Sequence, residues 1–485
     1  MRCADRPGAT NAIKWTYGSN VPHCRSMVPD LSQPQVIGLS FVALGALLGA
    51  GWVLRRSVRP LGALYLPVSV VTGFLVLLVG PQVLGSLTGT QGLIPGAFLD
   101  VWRVMPGLLI NVVFAAIMIG KVLPRWGELW DAAAPHAIFG SLLSFGQFFL
   151  GGLAVLVLLG PVFGVAPEAG SLLEMSFAGG HGTIAGMGQL LADAGAEDLV
   201  DVGLSLATIS MITGIVCGSV LVRWAVRSPR LAVARDQVHV PALEDDPEVD
   251  IVRLSPVDED QENDHGMHAT TFAGMLILLA IAVAVVMLWT ARWVAGQLGT
   301  DILDSFPLFP VTVIGGFVVQ TVATRLGFAE RIDKRVVAGM SSVALDGLVV
   351  CAIGTMSLAT LGDNIPVIVV MTVLGVGWSV VALVWLGPRI HRKDWFEHAI
   401  ADFGQSQGNV ATGFVLAEMV DPARRTTTAN DYGYKQLPYE PLLGGGILTA
   451  LSVPLITVWG LLPFTVVSGL VAAALGVWGC LRRRG

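Results

Sequence analysis

Apolar residues run along this chain in long blocks rather than alternating. Blocks of about 18 to 25 residues with little or no charge recur, the length a helix needs to cross roughly 30 Å of hydrocarbon. They fall near 36–54, 63–84, 104–120, 136–160 and 199–222, and, after a polar stretch, near 269–291, 308–324, 338–360, 365–387, 443–460 and 464–481. The last two are one run, and Pro463 is the expected place for the turn between them. Short alternating segments of the kind that build a membrane β-barrel do not appear. The pattern therefore predicts an all-α polytopic membrane protein with eleven spans.

The blocks repeat. "PVSVVTGFLV" (Pro67 to Val76) and "PVTVIGGFVV" (Pro310 to Val319) share six of ten positions. "FAGGHGTIA" (Phe177 to Ala185) and "FGQSQGNVA" (Phe403 to Ala411) share Phe, Gly and Ala at equal offsets. "VVFAAIMIG" (Val112 to Gly120) and "DGLVVCAIG" (Asp346 to Gly354) form a weaker third pair, and all three keep the same order. Five spans precede the second copy, so it enters the membrane from the opposite side, as in many secondary transporters. The expected fold is two inverted-topology repeats of five transmembrane helices, each with a re-entrant hairpin, plus one extra C-terminal helix. The expected organisation is a polar tail (1–35), a first repeat (36–222), a cytoplasmic linker (223–268), a second repeat (269–460) and a final helix with a basic end (461–485). The hairpins are placed near 170–195 and 395–420, where each half carries a Gly-rich, weakly polar segment too polar to span. Irregular backbone at membrane depth is tolerated only when buried in protein or lining a wet cavity.

Composition agrees: 54% of residues are hydrophobic and 13% charged, against about a quarter charged in soluble domains. Lys and Arg cluster in alternate loops: 55–59, 121–125, 223–235, 325–335, 389–393 and the C-terminus, with none in 161–198. By the positive-inside rule the N-terminus lies outside and the linker and C-terminus in the cytoplasm. Four basic residues before the first span run against this, and a start at Met27 removes them. The linker is acidic and proline-containing, the composition of a solvated tether. The five cysteines lack metal-ligand spacing. There is no Walker-type GxxxxGK[ST] and no basic, aromatic-interleaved patch, which argues against an ATP-driven machine or a nucleic-acid binder. A membrane enzyme would need His and carboxylates converging at one depth, and the ionisable residues in the spans read as scattered, so no catalytic role is expected.

The hairpins carry the candidate chemistry. Glycine accepts positive φ and lets backbone approach a ligand, a role that suits Gly179, Gly180 and Gly182 in the first and Gly404, Gly408 and Gly413 in the second. A half-helix starting at such a tip points free N–H groups into the cavity, a seat for a carboxylate. Thr183, Ser406, Asn409 and Thr412 add oxygens suited to a small hard cation, and His181 and Gln407 occupy equivalent places. The expected substrate-binding set is thus Gly179, Gly180, His181, Gly182, Thr183, Ser406, Gln407, Gly408, Asn409 and Thr412. Asp346, a carboxylate inside the eighth span, is a candidate sodium ligand with Asn111 as its rough partner, and Gln147 is another polar candidate. Glu174, Asp402 and Glu418 flank the hairpins and read as interfacial, and His398 and Asp402 as a local i,i+4 pair. The tryptophans read mostly as interface anchors.

These residues bear a family resemblance. "GGHGT" resembles the first pore-loop motif of the bacterial sodium/glutamate symporters, and "LPVSVVTGFLV" resembles their second-helix motif. The resemblance spans roughly residues 36 to 460. It implies a multi-pass protein of the bacterial inner membrane that imports glutamate or a similar anionic amino acid with sodium as coupling ion. It also implies no other cofactor, a site between the hairpins, a homodimer, and a hairpin-bearing domain that moves against a scaffold. The second hairpin lacks the Thr-Pro-Thr run of that family. This leaves open a proton- or sodium-coupled carrier of another dicarboxylate or a hydroxycarboxylate.

Overall fold

The computed structural model describes residues 32–58, 61, 66–121, 126–228, 268–299, 303, 306–391, 393–422 and 425–482. The N-terminal tail with Met27 and nearly all of the linker lie outside these residues. Every regular element among the described residues is helical. We number the main helices α1 (Gln33–Ser57), α2 (Val68–Val79), α3 (Gly96–Ala116), α4 (Trp126–Ala154), α5 (Leu172–Phe177), α6 (Gly180–Gly186), α7 (Gly188–Asp193), α8 (Asp198–Arg227) and α9 (Ala269–Gln297). They continue with α10 (Phe309–Arg325), α11 (Lys334–Thr355), α12 (Ile365–Val381), α13 (Trp395–Ser406), α14 (Val410–Val420), α15 (Thr428–Tyr439), α16 (Ile447–Trp459) and α17 (Leu461–Arg482).

Each of the eleven apolar blocks coincides with one of these helices. Nine are long and apolar enough to span, counting their continuations, among the described residues. The seventh and tenth blocks form the shorter α10 and α16. The last turn falls elsewhere than expected. The chain breaks at Gly460, whose φ of 86° ends α16, and Pro463 sits in the first turn of α17. A proline there costs little, because the first N–H groups of a helix lack intrahelical partners anyway.

The fourth span of each half ends in the same way. α4 passes through a π turn, Val155–Leu159, into Gly160–Pro161; α12 passes through a π turn, Ala382–Leu386, into Gly387–Pro388. A proline removes one N–H and its ring crowds the carbonyl four residues back. Widening the preceding turn relieves both problems without ending the helix.

Packing sorts most helices into two groups. α1, α2, α3, α9, α10 and α11 pack on one another, and α4, α5, α6, α8, α12, α13, α14, α15 and α17 on one another. The groups meet chiefly where α6 lies against α3 and α11. Within the first group the repeated segments are exchanged. α2 packs on α11 of the second half, and α10 packs on α3 of the first. Lipid tails are as apolar as leucine, so close backbone approach rather than hydrophobic expulsion holds such helices together. Glycine permits it: a Cβ at Gly73 would sit 2.7 Å from Ile353 Cβ, and one at Gly316 would sit 2.5 Å from the Ala115 carbonyl oxygen. The tryptophans divide. Trp52 and Trp459 are exposed as interface anchors would be, whereas Trp102 is buried in the core and Trp378 donates its indole N–H to the Leu143 carbonyl at 3.0 Å.

Gly73→Val should therefore lower the thermal midpoint of the purified protein, at a cost of at least about 1–3 kcal/mol from overpacking. Gly339→Ala, on α11 with nothing within 4 Å of its Cβ position, should leave it unchanged or raise it slightly.

Candidate functional site

Two broken helices meet at their tips. The first runs α5, Ala178–Gly179, α6. The Ala178 and Gly179 N–H groups both donate to the Glu174 carbonyl at 3.0 Å, and Gly180 then takes φ 72°. This is a glycine C-terminal cap: the chain reverses in a left-handed residue that costs little only without a Cβ. The second runs α13, Gln407–Asn409, α14. Asn409 is extended and caps α14, its Oδ1 accepting from the Thr412 N–H at 2.9 Å and the Thr412 hydroxyl at 3.2 Å. A Cβ added to Gly180 would lie 3.2 Å from the Gly408 carbonyl oxygen. Backbone thus faces backbone across the junction.

The six glycines serve two purposes. Only Gly180 adopts positive φ. Gly404 and Gly413 sit below the tip, where a Cβ on Gly404 would lie 2.7 Å from Gly413 Cα, so they let α13 and α14 touch. Gly182 lets α6 approach Ile110 of α3, 3.1 Å from its Cβ position.

Most polar side chains at the tips already have partners. His181 Nε2 lies 2.8 Å from the Thr208 hydroxyl, which itself donates to the Leu204 carbonyl. The imidazole is therefore the donor, with its proton on Nε2. The Thr183 hydroxyl donates to the Gly179 carbonyl, and that of Ser406 to the Phe403 carbonyl, both at 2.8 Å. The second tip is tied to its neighbours by amides. Gln147 of α4 donates to the Ser406 carbonyl at 2.8 Å, and Gln407 donates to the Gly375 carbonyl of α12 at 3.1 Å. Both amide oxygens, Gln147 Oε1 and Gln407 Oε1, are buried without a partner. Asn111 donates to Gly107, leaving its own Oδ1 buried and unpartnered. Asp346 is exposed on α11 beside the Ser69 hydroxyl at the start of α2.

Two carboxylates read as interfacial are buried instead. Glu174 is fully buried, and its Oε1 accepts from the Gly444 N–H and the Thr449 hydroxyl, both at 3.1 Å. The turn Gly444–Gly446 thereby packs on the first broken helix, where a Cβ on Gly445 would collide with the Thr183 hydroxyl. Glu418 is exposed, as expected. Asp402 is not simply a local partner of His398. Its Oδ1 receives Lys435 Nζ of α15 at 2.8 Å, and its Oδ2 lies 2.7 Å from His136 Nδ1 of α4. His136 Nε2 continues to His398 Nδ1 at 2.8 Å, and Lys435 also donates to Gln405 Oε1 at 2.7 Å. A Cβ at Gly140 would meet Lys435 Nζ at 2.5 Å, so glycine makes room for the ammonium. Ionisable residues thus converge at one place, contrary to their scattered look in sequence. His136 is the one ionisable residue in the 136–160 block, a signal that could have marked it. Lys435 gave none, because its partner lies 33 positions away.

Nine helices long and apolar enough to span, among the described residues, make this a multi-pass membrane protein. The family profile described as sodium/glutamate symporter matches residues 37–387, and the chain belongs to that family. No curated protein matches it. The match takes in the first broken helix, Asn111 and Asp346, and ends before α13 begins.

Removing one partner of the buried pair should be costly. Lys435→Met strands the Asp402 carboxylate and should destabilise by about 3–5 kcal/mol. Lys435→Met with Asp402→Asn should recover much of that loss, as read by thermal unfolding of the purified single and double variants.

Proposed function

We propose that the protein is a secondary carrier that imports a small anionic amino acid of the glutamate type, driven by sodium. The observation that carries this reading is the meeting of the two tips at Gly180 and Gly408, at the junction of two packed helix groups. The exchange of α2 and α10 and the paired π turns at Gly-Pro support an inverted repeat. The short arms of α5–α6 and α13–α14 support re-entrant hairpins. In this reading the hairpin-bearing group moves against the group around α3 and α11, with α6 as the sliding contact. The Lys and Arg distribution supports an outside N-terminus in a bacterial inner membrane. The homodimer follows from the family resemblance.

The residues divide by chemistry. The N-terminus of α14 presents a favourable dipole to an anion, with Asn409 and Thr412 at its mouth and the Thr412 N–H held by the Asn409 side chain. Gly179, Gly180, His181, Gly182 and Thr183 form the facing wall, and Ser406, Gln407 and Gly408 the near one. Sodium takes oxygen ligands, and unpartnered buried oxygens are the ones that gain most from an ion. Gln147 and Gln407 offer two at the second tip. Asn111 and Asp346 supply oxygens on α3 and α11. Because the family match stops at 387, the second tip is where substrate choice departs, and a different dicarboxylate or a hydroxycarboxylate is the second reading.

Uptake of labelled L-glutamate into proteoliposomes, with and without an inward sodium gradient, tests this. Concentrative uptake that collapses without sodium is expected. An alanine in the left-handed region costs roughly 1–2 kcal/mol, so Gly180→Ala should cut uptake about tenfold. Asp346→Asn should raise the sodium concentration needed for half-maximal uptake. Malate or citrate uptake in place of glutamate would move the substrate to the second reading. Absence of concentrative uptake for all of them, under sodium or proton gradients, would sink the carrier reading.

A further inference from the structure

The imidazoles of His136, His391 and His398 come from three separate places: α4, the turn following Ile390, and α13. One ring nitrogen from each lies within 4.8 Å of the others. All three rings are buried, with 1%, 3% and 9% of their surface exposed. His391 stacks on His398 with ring centroids 5.6 Å apart and planes at 13°, and meets His136 edge-on at 4.9 Å. The turn that brings it there passes through Asp394, which adopts φ 44°, a left-handed conformation that aspartate tolerates better than most residues. His391, His398 and Asp402 all lie beyond the residues matched by the family profile.

From this geometry we propose a site for a divalent transition-metal ion of the zinc type, held by His136, His391 and His398. Two features point to a ligand rather than to a filled polar core. His391 Nε2 is buried with no hydrogen-bond partner and lies 3.6 Å from Asp402 Oδ2. Burying a nitrogen without a partner is costly. The second feature is the orientation of His136. A carboxylate only accepts, so Asp402 Oδ2 at 2.7 Å fixes the proton of a neutral His136 on Nδ1. The Nε2 lone pair then faces the other two rings. A histidine that binds a metal through one nitrogen and donates the other N–H to a carboxylate is the usual arrangement of such ligands. Lys435 holds the opposite oxygen of that carboxylate at 2.8 Å and offsets its charge.

Imidazole nitrogens on a tetrahedral zinc ion stand about 3.3 Å apart for bonds near 2.05 Å. His136 Nε2 and His398 Nδ1, at 2.8 Å, would open slightly. The His398 proton on Nδ1 would move to Nε2. The fourth position would be left to water or hydroxide. An ion there would pin the first arm of the second broken helix to α4, where the apolar run of α4 begins.

The test uses the untagged full-length protein in nanodiscs, with zinc content measured after desalting and cobalt(II) as a spectroscopic probe. We expect one zinc per chain and the intense visible bands of four-coordinate cobalt. His391→Gln and His398→Asn should each abolish both. Asp402→Asn, which removes an orienting group, should weaken binding by about 10–100-fold. His268→Gln, an exposed histidine outside the cluster, should change nothing. His391→Gln sacrifices no hydrogen bond of Nε2, so its metal-free thermal midpoint should match the wild type and separate lost binding from lost folding. Wild-type protein that holds no stoichiometric zinc, or zinc that survives both ligand substitutions, overturns the site. Neither readout depends on transport, so the outcome stands whatever solute the carrier moves.

Discussion

The backbone at a helix break must find partners, and inside hydrocarbon no water supplies them. That constraint shapes the middle of this molecule. Breaking two helices exposes N–H and C=O groups that would each cost several kcal/mol if buried without partners. The breaks are therefore seated against each other and walled in. α8 and the Gly444–Gly446 turn cover the first; α4, α12 and α8 cover the second. The amide of Gln147 is spent on the Ser406 carbonyl, and that of Gln407 on Gly375. Even the glycines follow from this demand. Gly180 turns the chain, while Gly404 and Gly413 bring α13 and α14 together so that little backbone is left uncovered.

The overall fold was largely readable because a bilayer imposes one-dimensional rules. Length and apolarity alone located the helices, and the matching segments "PVSVVTGFLV" and "PVTVIGGFVV" both form helices, α2 and α10, each packed on a helix of the other half. The glycine-rich segments were read as tips for the same reason. What failed was pairing. Asp402 looked like a flank residue because its partners, His136 and Lys435, lie far away in sequence. Glu174 looked interfacial because nothing in the chain says that a turn 270 residues later will donate to it. Burial of a charge is a property of the assembled neighbours, and linear patterning does not carry it. The split at Gly460 rather than Pro463 is a smaller case: proline begins helices as readily as it ends them, so it marks a boundary without saying on which side.

The two helix groups also differ in how they hold together. The first, around α3 and α11, combines close contact of small residues with backbone, as Gly316 does with Ala115, and amide side chains bonded to backbone, as Gln320 is to Gly120 and Gln82 to Met356 and Leu358. The second adds buried polar chemistry: the Asp402–Lys435 pair, the histidine chain and the amides. Such buried networks resist partial rearrangement, because each broken contact leaves an unpaired group.

The buried ammonium of Lys435 has a consequence for how the chain reaches its membrane form. α13 carries Asp402, and α15, with its charged and polar residues, is not apolar enough to partition into lipid unaided. Both depend on α4, which offers His136 to Asp402 and the space at Gly140 to Lys435. Asp402 meets its cation only through a residue 33 positions further along the chain. A nascent chain stopped between residues 402 and 435 holds an acidic group with no cation to meet it.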